Sequence, residues 1–234
     1  MRLLFYADGR SPTAVNWIRY WVERGDEVHL VSSFPCSPLP GLTSFDVAPV
    51  AFSGAISMKS PTSQKKGWLW GAGTLRLRLL FRQSLGPFTF RSSAKALGEI
   101  VRRVQPDLVH ALRIPYEGMA AAAAGLDIPL VISIWGNDFT LHARSSPIMA
   151  YWTHRAVKSC QALHTDCQRD LRIARQWGFR DGRPGLVIPG NGGIDSHIFH
   201  LPSKPVDAPV VINPRGCRGY VRNGTFFKAI PLVL

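Results

Sequence analysis

Residues 1–32, MRLLFYADGRSPTAVNWIRYWVERGDEVHLVS, decide the fold, because they spell a strand, a turn, a helix and a second strand in that order. Leu3 to Ala7 is an unbroken apolar run, the kind that a parallel sheet buries on both faces. Asp8 to Ser11 is a polar turn. Pro12 suits a first helical turn, where its missing N–H costs nothing and its φ is already set. A helix is expected from Pro12 to Arg24, closed by Gly25, with Glu27 to Ser32 as the next strand.

The same alternation continues along the chain. Strands are expected at Asp107 to Leu112, Leu130 to Trp135, Ala162 to Thr165 and Leu186 to Pro189. Helices are expected at Pro87 to Val104, Tyr116 to Ala124, Pro147 to Lys158 and Asp166 to Trp177. Ser33 to Ser63 is rich in Pro, Ser and Gly and reads as loop with one short strand near Phe45 to Phe52, followed by a basic helix from Leu69 to Gln83. The pattern predicts an α/β fold with a Rossmann-like, doubly wound, mainly parallel sheet. Leu201 to Pro209 is Pro-rich and reads as a linker. Val210 to Asn213 then looks like a strand, and a helical stretch starts at Thr225. The expected organisation is one domain over residues 1–200, a linker over 201–209 and the beginning of a second α/β domain over 210–234.

Composition narrows the setting. Of 234 residues 46% are hydrophobic and 18% charged, which excludes a disordered or fibrous chain. Four cysteines, at 36, 160, 167 and 217, form no Cys-x-x-Cys pair and read as buried small hydrophobes in a reduced compartment. The apolar run at the start is too short for a signal-peptide core. Met119 to Trp135 is cut by Gly125, Asp127 and Pro129, which does not suit a membrane span. A cytoplasmic chain is expected. The net charge of +13 is uneven, because Lys59 to Arg103 holds ten Lys or Arg and one acid, Glu99. Such a segment favours polyanions or is simply a solvated basic face. Nucleic acid lacks support, since no helix-turn-helix, zinc finger or RNA-recognition signature is present. Trp68, Leu69, Trp70, Leu75 and Leu79 add interfacial residues, so peripheral contact with the inner membrane surface through 59–103 is one reading, and a solvated basic face stands beside it as the alternative.

In open parallel sheets ligands sit beyond the carboxyl ends of the strands. Gly9, Arg10 and Ser11 follow the first strand at a helix start that can hold an anion, though without the G-x-G-x-x-G dinucleotide fingerprint; a substrate loop and an ordinary tight turn both remain open. His110 follows an apolar stretch and is a candidate base or donor, and a satisfied core histidine is the alternative. Trp135, Gly136, Asn137 and Asp138 put polar groups at the end of the most buried strand, where they need partners. No nucleophile elbow, phosphate loop or metal-ligand spacing appears, so no metal site is expected.

Four motifs in order carry a family resemblance: Glu23-Arg24-Gly25-Asp26-Glu27-Val28, Pro106-Asp107-Leu108-Val109-His110-Ala111, Trp135-Gly136-Asn137-Asp138, and Val187 to Asp195 (VIPGNGGID), ending at Phe199. With them the chain resembles the N-terminal domain of family 4-like glycosyltransferases, enzymes of the two-domain GT-B fold. Val210 to Gly216 (VVINPRG) is similar to the first strand and donor-phosphate turn of that family's C-terminal domain.

The resemblance implies transfer of a sugar from a nucleotide-sugar donor, a co-substrate with no further cofactor, to a glycan or lipid-linked acceptor. Retention of configuration and metal independence are usual there. It implies catalytic roles for His110, Trp135 and Asp138, and acceptor-binding loops containing Gly9, Arg10, Ser11, Arg113, Glu117, Gly136 and Asn137. Asn191, Gly192, Asp195, Arg215 and Gly216 fall on the donor side, with Arg215 neutralising the diphosphate. The family often has His where Trp135 stands, and its partner Lys after the arginine has no clear counterpart. The E-x7-E segment of the family's C-terminal domain is not found in the 234 residues, which by themselves are expected to be inactive. A non-catalytic α/β binding module is the competing reading.

Overall fold

The computed structural model describes residues 1–50, 90–189, 200–201 and 223–232. The chain divides into two compact units, Met1–Gly193 and Ile194–Leu234. In the second unit the described residues form a seven-residue helix, Asn223–Ala229, and a short 3-10 turn, Ile230–Leu232. The helix expected at Leu69 to Gln83 and the strand at Val210 to Asn213 lie outside the described residues.

The first unit is the expected Rossmann-like sheet. Its strands are β1 (Arg2–Ala7), β2 (Glu27–Ser32), β3 (Ser44–Val47), β4 (Leu108–Leu112), β5 (Leu130–Ile134), β6 (Ala162–Thr165) and β7 (Gly185–Val187). They lie in the order β3-β2-β1-β4-β5-β6-β7, and every described pair is parallel. The order reverses direction between β1 and β4, which creates the crevice where such sheets bind ligands.

Helix α1 (Pro12–Glu23) starts at an extended Ser11 with Pro12 in its first turn, and Gly25 follows its end at φ 85°, a left-handed position that favours glycine. Ala14, Trp17, Ile18 and Trp21 fall on one stripe. With them α1 covers Leu3, Phe5 and Ala7 of β1 and Val28 and Leu30 of β2. The alternate residues Leu4, Tyr6, Val109, Ala111, Ile132 and Ile134 face the larger core. That core is closed by α2 (Phe90–Val104), α3 (Met119–Ala124), α4 (Pro147–Ser159) and α5 (Gln168–Gln176). Helix α2 contributes Phe90, Ala94, Leu97, Ile100 and Val101, an i, i+4, i+7 stripe. Ser146 caps α4 by accepting the Met149 N–H at 3.3 Å, ahead of Pro147.

One helix begins later than the sequence suggests. Tyr116 to Gly118 are not its first turn: Ile114–Gly118 forms a distorted turn in which Pro115 is extended and Tyr116 sits at φ 72°, and the regular helix starts at Met119.

Candidate functional site

Three strand ends meet at the crevice. After β1, the Asp8 carboxylate accepts the Arg10 backbone N–H at 3.0 Å and both Nε and Nη2 of its guanidinium at 3.0 Å each. The same guanidinium lies 3.7 Å above the Phe34 ring. The Gly9 N–H donates to Ser32 Oγ at 3.1 Å, which ties this turn to the end of β2. A Cβ on Gly9 would come 2.6 Å from Cys36 Sγ, so the close approach requires glycine.

After β4 the backbone is strained. Arg113 has φ 120° and Tyr116 φ 72°, both in the region that side chains other than glycine rarely adopt. The turn is held by the Gly118 N–H, which donates to the Arg113 carbonyl at 2.9 Å. A Cβ on Gly118 would lie 2.9 Å from that same oxygen. The Arg113 guanidinium reaches across to β5, donating through Nε to Asp138 Oδ1 at 3.1 Å and through Nη2 to the same oxygen. Asp138 is fully buried, and its Oδ2 accepts the Trp135 backbone N–H at 3.1 Å. The Arg113 guanidinium, the Asp138 carboxylate and the Trp135 backbone N–H are thereby paired with one another, while the buried Trp135 indole N–H has no partner among the described residues.

The distorted turn delivers Glu117 into the crevice. Its carboxyl is buried and accepts the Ser33 hydroxyl from the end of β2. Burial pushes its pKa up to about 7, against the opposing pull of the Ser33 hydrogen bond and the Arg113 charge. Among the described residues Glu117 has no ion-pair partner.

These groups enclose a cleft of about 320 Å³. Its polar wall is Asp8, Arg10, Ser11, Arg113, Glu117 and His142, and its apolar wall includes Phe34, Leu112, Tyr116 and Trp135. A volume near the lower end of ligand pockets, about 300–1,000 Å³, suits a ligand of one or two rings.

The structure thus brings Arg10, Ser11, Arg113, Glu117 and Trp135 to one surface. Asp138 stands behind Arg113 with both oxygens occupied. Gly9, Gly136 and Asn137 flank the cleft without lining it. His110 is placed elsewhere, because β4 runs on to Leu112 and His110 points to the α1 face. There its Nε2 lies 2.9 Å from Ser133 Oγ, which is 3.0 Å from His164 Nδ1, and His164 Nε2 is 2.9 Å from the Ile188 carbonyl. Phe5 and Trp17 pack against its ring. Burial, and secondarily His164, push its pKa down to about 3, so it stays neutral at neutral pH. Asn191, Gly192, Asp195, Arg215 and Gly216 lie outside the described residues.

Sequence reading passed over Ser32, Ser33 and Phe34. The signal was present, since they follow β2 and the rule that picks residues beyond carboxyl strand ends selects them as well.

Among curated proteins none matches the chain in sequence. Among solved structures, it is similar to UDP-N-acetylglucosamine 2-epimerase from Rickettsia bellii (9% identity, TM-score 0.50, 79% of this chain and 43% of that one). Others are sucrose-phosphate synthase from Thermosynechococcus elongatus (8%, 0.49, 80% and 48%) and the calicheamicin glycosyltransferase CalG4 (15%, 0.42, 80% and 52%). The chain spans about half the length of each. The family model described as a glycosyl transferase 4-like domain matches residues 8–190, the stretch from the β1 turn to the end of the sheet, and the chain belongs to that family.

Proposed function

We propose that this chain supplies the acceptor-binding half of a glycosyltransferase, with the β1–β4 cleft receiving the sugar hydroxyl that is to be glycosylated. The observation that carries the reading is the charge arrangement of the cleft. Each arginine in it already faces a carboxylate, Arg10 with Asp8 and Arg113 with Asp138, and the remaining acid, Glu117, is buried with a raised pKa. With both arginines paired and Glu117 protonated in part, the wall carries little net charge at rest. It suits a neutral, hydroxylated ligand whose C–H faces lie against Phe34, Tyr116 and Trp135 while one hydroxyl reaches Glu117.

In this reading Glu117 orients the acceptor oxygen toward the anomeric carbon of the donor. Near neutral pH its carboxyl exists in both protonation states, so it can accept a hydrogen bond from the hydroxyl or hold its proton as the new bond forms. Arg113 and Asp138 fix the strained turn that presents Glu117, a positioning role. The donor side, a nucleotide-sugar held by Asn191, Gly192, Asp195, Arg215 and Gly216 with its diphosphate on Arg215, is proposed from the family resemblance, as are metal independence and retention.

The test is acceptor-dependent release of UDP or GDP from a panel of nucleotide-sugars by the complete gene product. Glu117→Gln should lower kcat/KM for the acceptor at least roughly tenfold and leave donor KM within about twofold. Equal acceptor kinetics in wild type and variant would remove Glu117 from the site.

A further inference from the structure

On the helical layer, α2 and α4 flank a hollow of about 400 Å³ floored by Ala123 and Ala124 of α3. Four cations line it, Arg91, Lys95 and Arg102 from α2 and Arg155 from α4, and no acid does. Arg91, Lys95, Gly98 and Arg102 follow one another at i, i+4, i+7 and i+11, a single stripe roughly 16 Å long. The stripe faces open space at Gly98, where a Cβ would meet nothing within 4 Å. Among the described residues none of the four cations pairs with a carboxylate, whereas Arg103, one position on, is taken up by Asp46. Like charges one turn apart repel. Their field is therefore open to an outside anion.

The aromatic groups beside the stripe narrow the choice of anion. Trp152 lines the hollow, packed edge-on against Phe90 at 5.7 Å and Tyr151 at 5.5 Å. Tyr151 is 54% exposed, and the Arg155 guanidinium stands 5.6 Å over the Trp152 ring and donates to Tyr151 Oη at 3.2 Å. Tyr and Trp next to Arg and Lys is the combination that settles at lipid headgroups, where the ring is half in apolar surroundings and the cation meets phosphate. Duplex nucleic acid would instead require an element shaped for a groove, and this is a concave hollow between two helices.

We infer that this face of α2 and α4 is the surface by which the chain rests on an anionic membrane, with phospholipid headgroups seated along Arg91, Lys95, Arg102 and Arg155. The placement is independent of the catalytic reading. It puts the membrane contact on described residues, and it draws in α4, which lies outside the basic segment 59–103.

Flotation of the 234-residue chain with vesicles of phosphatidylcholine containing 30% phosphatidylglycerol tests it. Each cation at such a surface is worth about fivefold in affinity. Neutralising all four (Arg91→Gln, Lys95→Gln, Arg102→Gln, Arg155→Gln) should therefore weaken binding by roughly 100-fold or more at 0.1 M salt, with circular dichroism unchanged. A control carrying Arg19→Gln, Arg144→Gln, Arg172→Gln and Arg180→Gln has the same net charge and should lose less than about tenfold. Three results would overturn the inference: no flotation of wild type, equal losses in both variants, or tighter, groove-dependent binding to duplex DNA than to vesicles.

Discussion

The bridge between β4 and β5 offers the sharpest test of the geometry. Arg113→Ala would leave the Asp138 carboxylate fully buried with the Trp135 N–H as its remaining hydrogen-bond donor in the bridge. Removing one partner of a buried pair costs about 3–5 kcal/mol. The Arg113 side chain is 37% exposed, so solvent already screens part of the attraction, and the lower figure, about 3 kcal/mol, applies. Asp138→Ala should cost less, about 2 kcal/mol, because the guanidinium left behind can turn to water, although the Trp135 N–H loses its acceptor. In the double variant neither charge is stranded. Its loss should fall short of the sum of the single losses by about 2 kcal/mol.

Urea unfolding of the four proteins at pH 7.5 measures the cycle, and thermal unfolding should echo it with a drop of about 6–12 °C for Arg113→Ala. A loss under about 1 kcal/mol for Arg113→Ala, or strictly additive single variants, would show that the pair does not hold the turn. The role given to Glu117 would then lose its mechanical support.

Glu117→Gln should alter the pH dependence of stability. The wild-type carboxyl has its pKa raised on folding from 4.5 to about 7, so the native state binds a proton that the unfolded chain releases, and stability falls by about 3 kcal/mol as pH rises across that window. Urea midpoints of the variant should lack this decline; a parallel decline would contradict the burial. His110 acts in the opposite direction, since its pKa falls from 6.5 to about 3, and stability is lost by about 1.4 kcal/mol per pH unit below 6.5. His110→Gln should flatten that acid limb, whatever its baseline stability, and an unchanged slope would refute the neutral buried ring. Gly118→Ala drives a Cβ against the Arg113 carbonyl and Ile132 and should cost about 1–3 kcal/mol, whereas Gly224→Ala, with open space around it, should be silent in the unfolding of the first unit; equal effects would show that the turn is not packed as described.

How much of this was legible in the sequence depended on how local the signal was. β1, β5 and α4 announce themselves: aliphatic runs give the strands, and Ser146-Pro147 marks the helix start. The turn at 114–118 does not. Tyr116 precedes Met119 and a run of alanines, so local propensity favours helix throughout. What bends the backbone is remote: the Arg113 guanidinium spans 25 positions to Asp138, and Ser33 reaches 84 positions to Glu117. His110 misleads for a related reason. Its apolar run continues two residues past it to Leu112, so strand parity turns the ring toward Phe5 and Trp17 and leaves Arg113 at the strand end.

The two arginines of the cleft are not equivalent. The Arg113 pair joins a buried carboxylate to a strained turn, so drawing Arg113 toward an incoming anion would cost the roughly 3 kcal/mol assigned to that bridge. The Arg10 pair is more exposed, with side chains 50% and 30% accessible, and such pairs are worth about 0–1 kcal/mol. Arg10 can therefore leave Asp8 at little cost. An anionic group on a ligand in this cleft would be met by Arg10 from the β1 turn, while Arg113 stays fixed and keeps Glu117 in place. Arg10→Ala should then weaken acceptors that carry a charge next to the reacting sugar and leave neutral ones almost untouched, a division that Arg113→Ala would not reproduce.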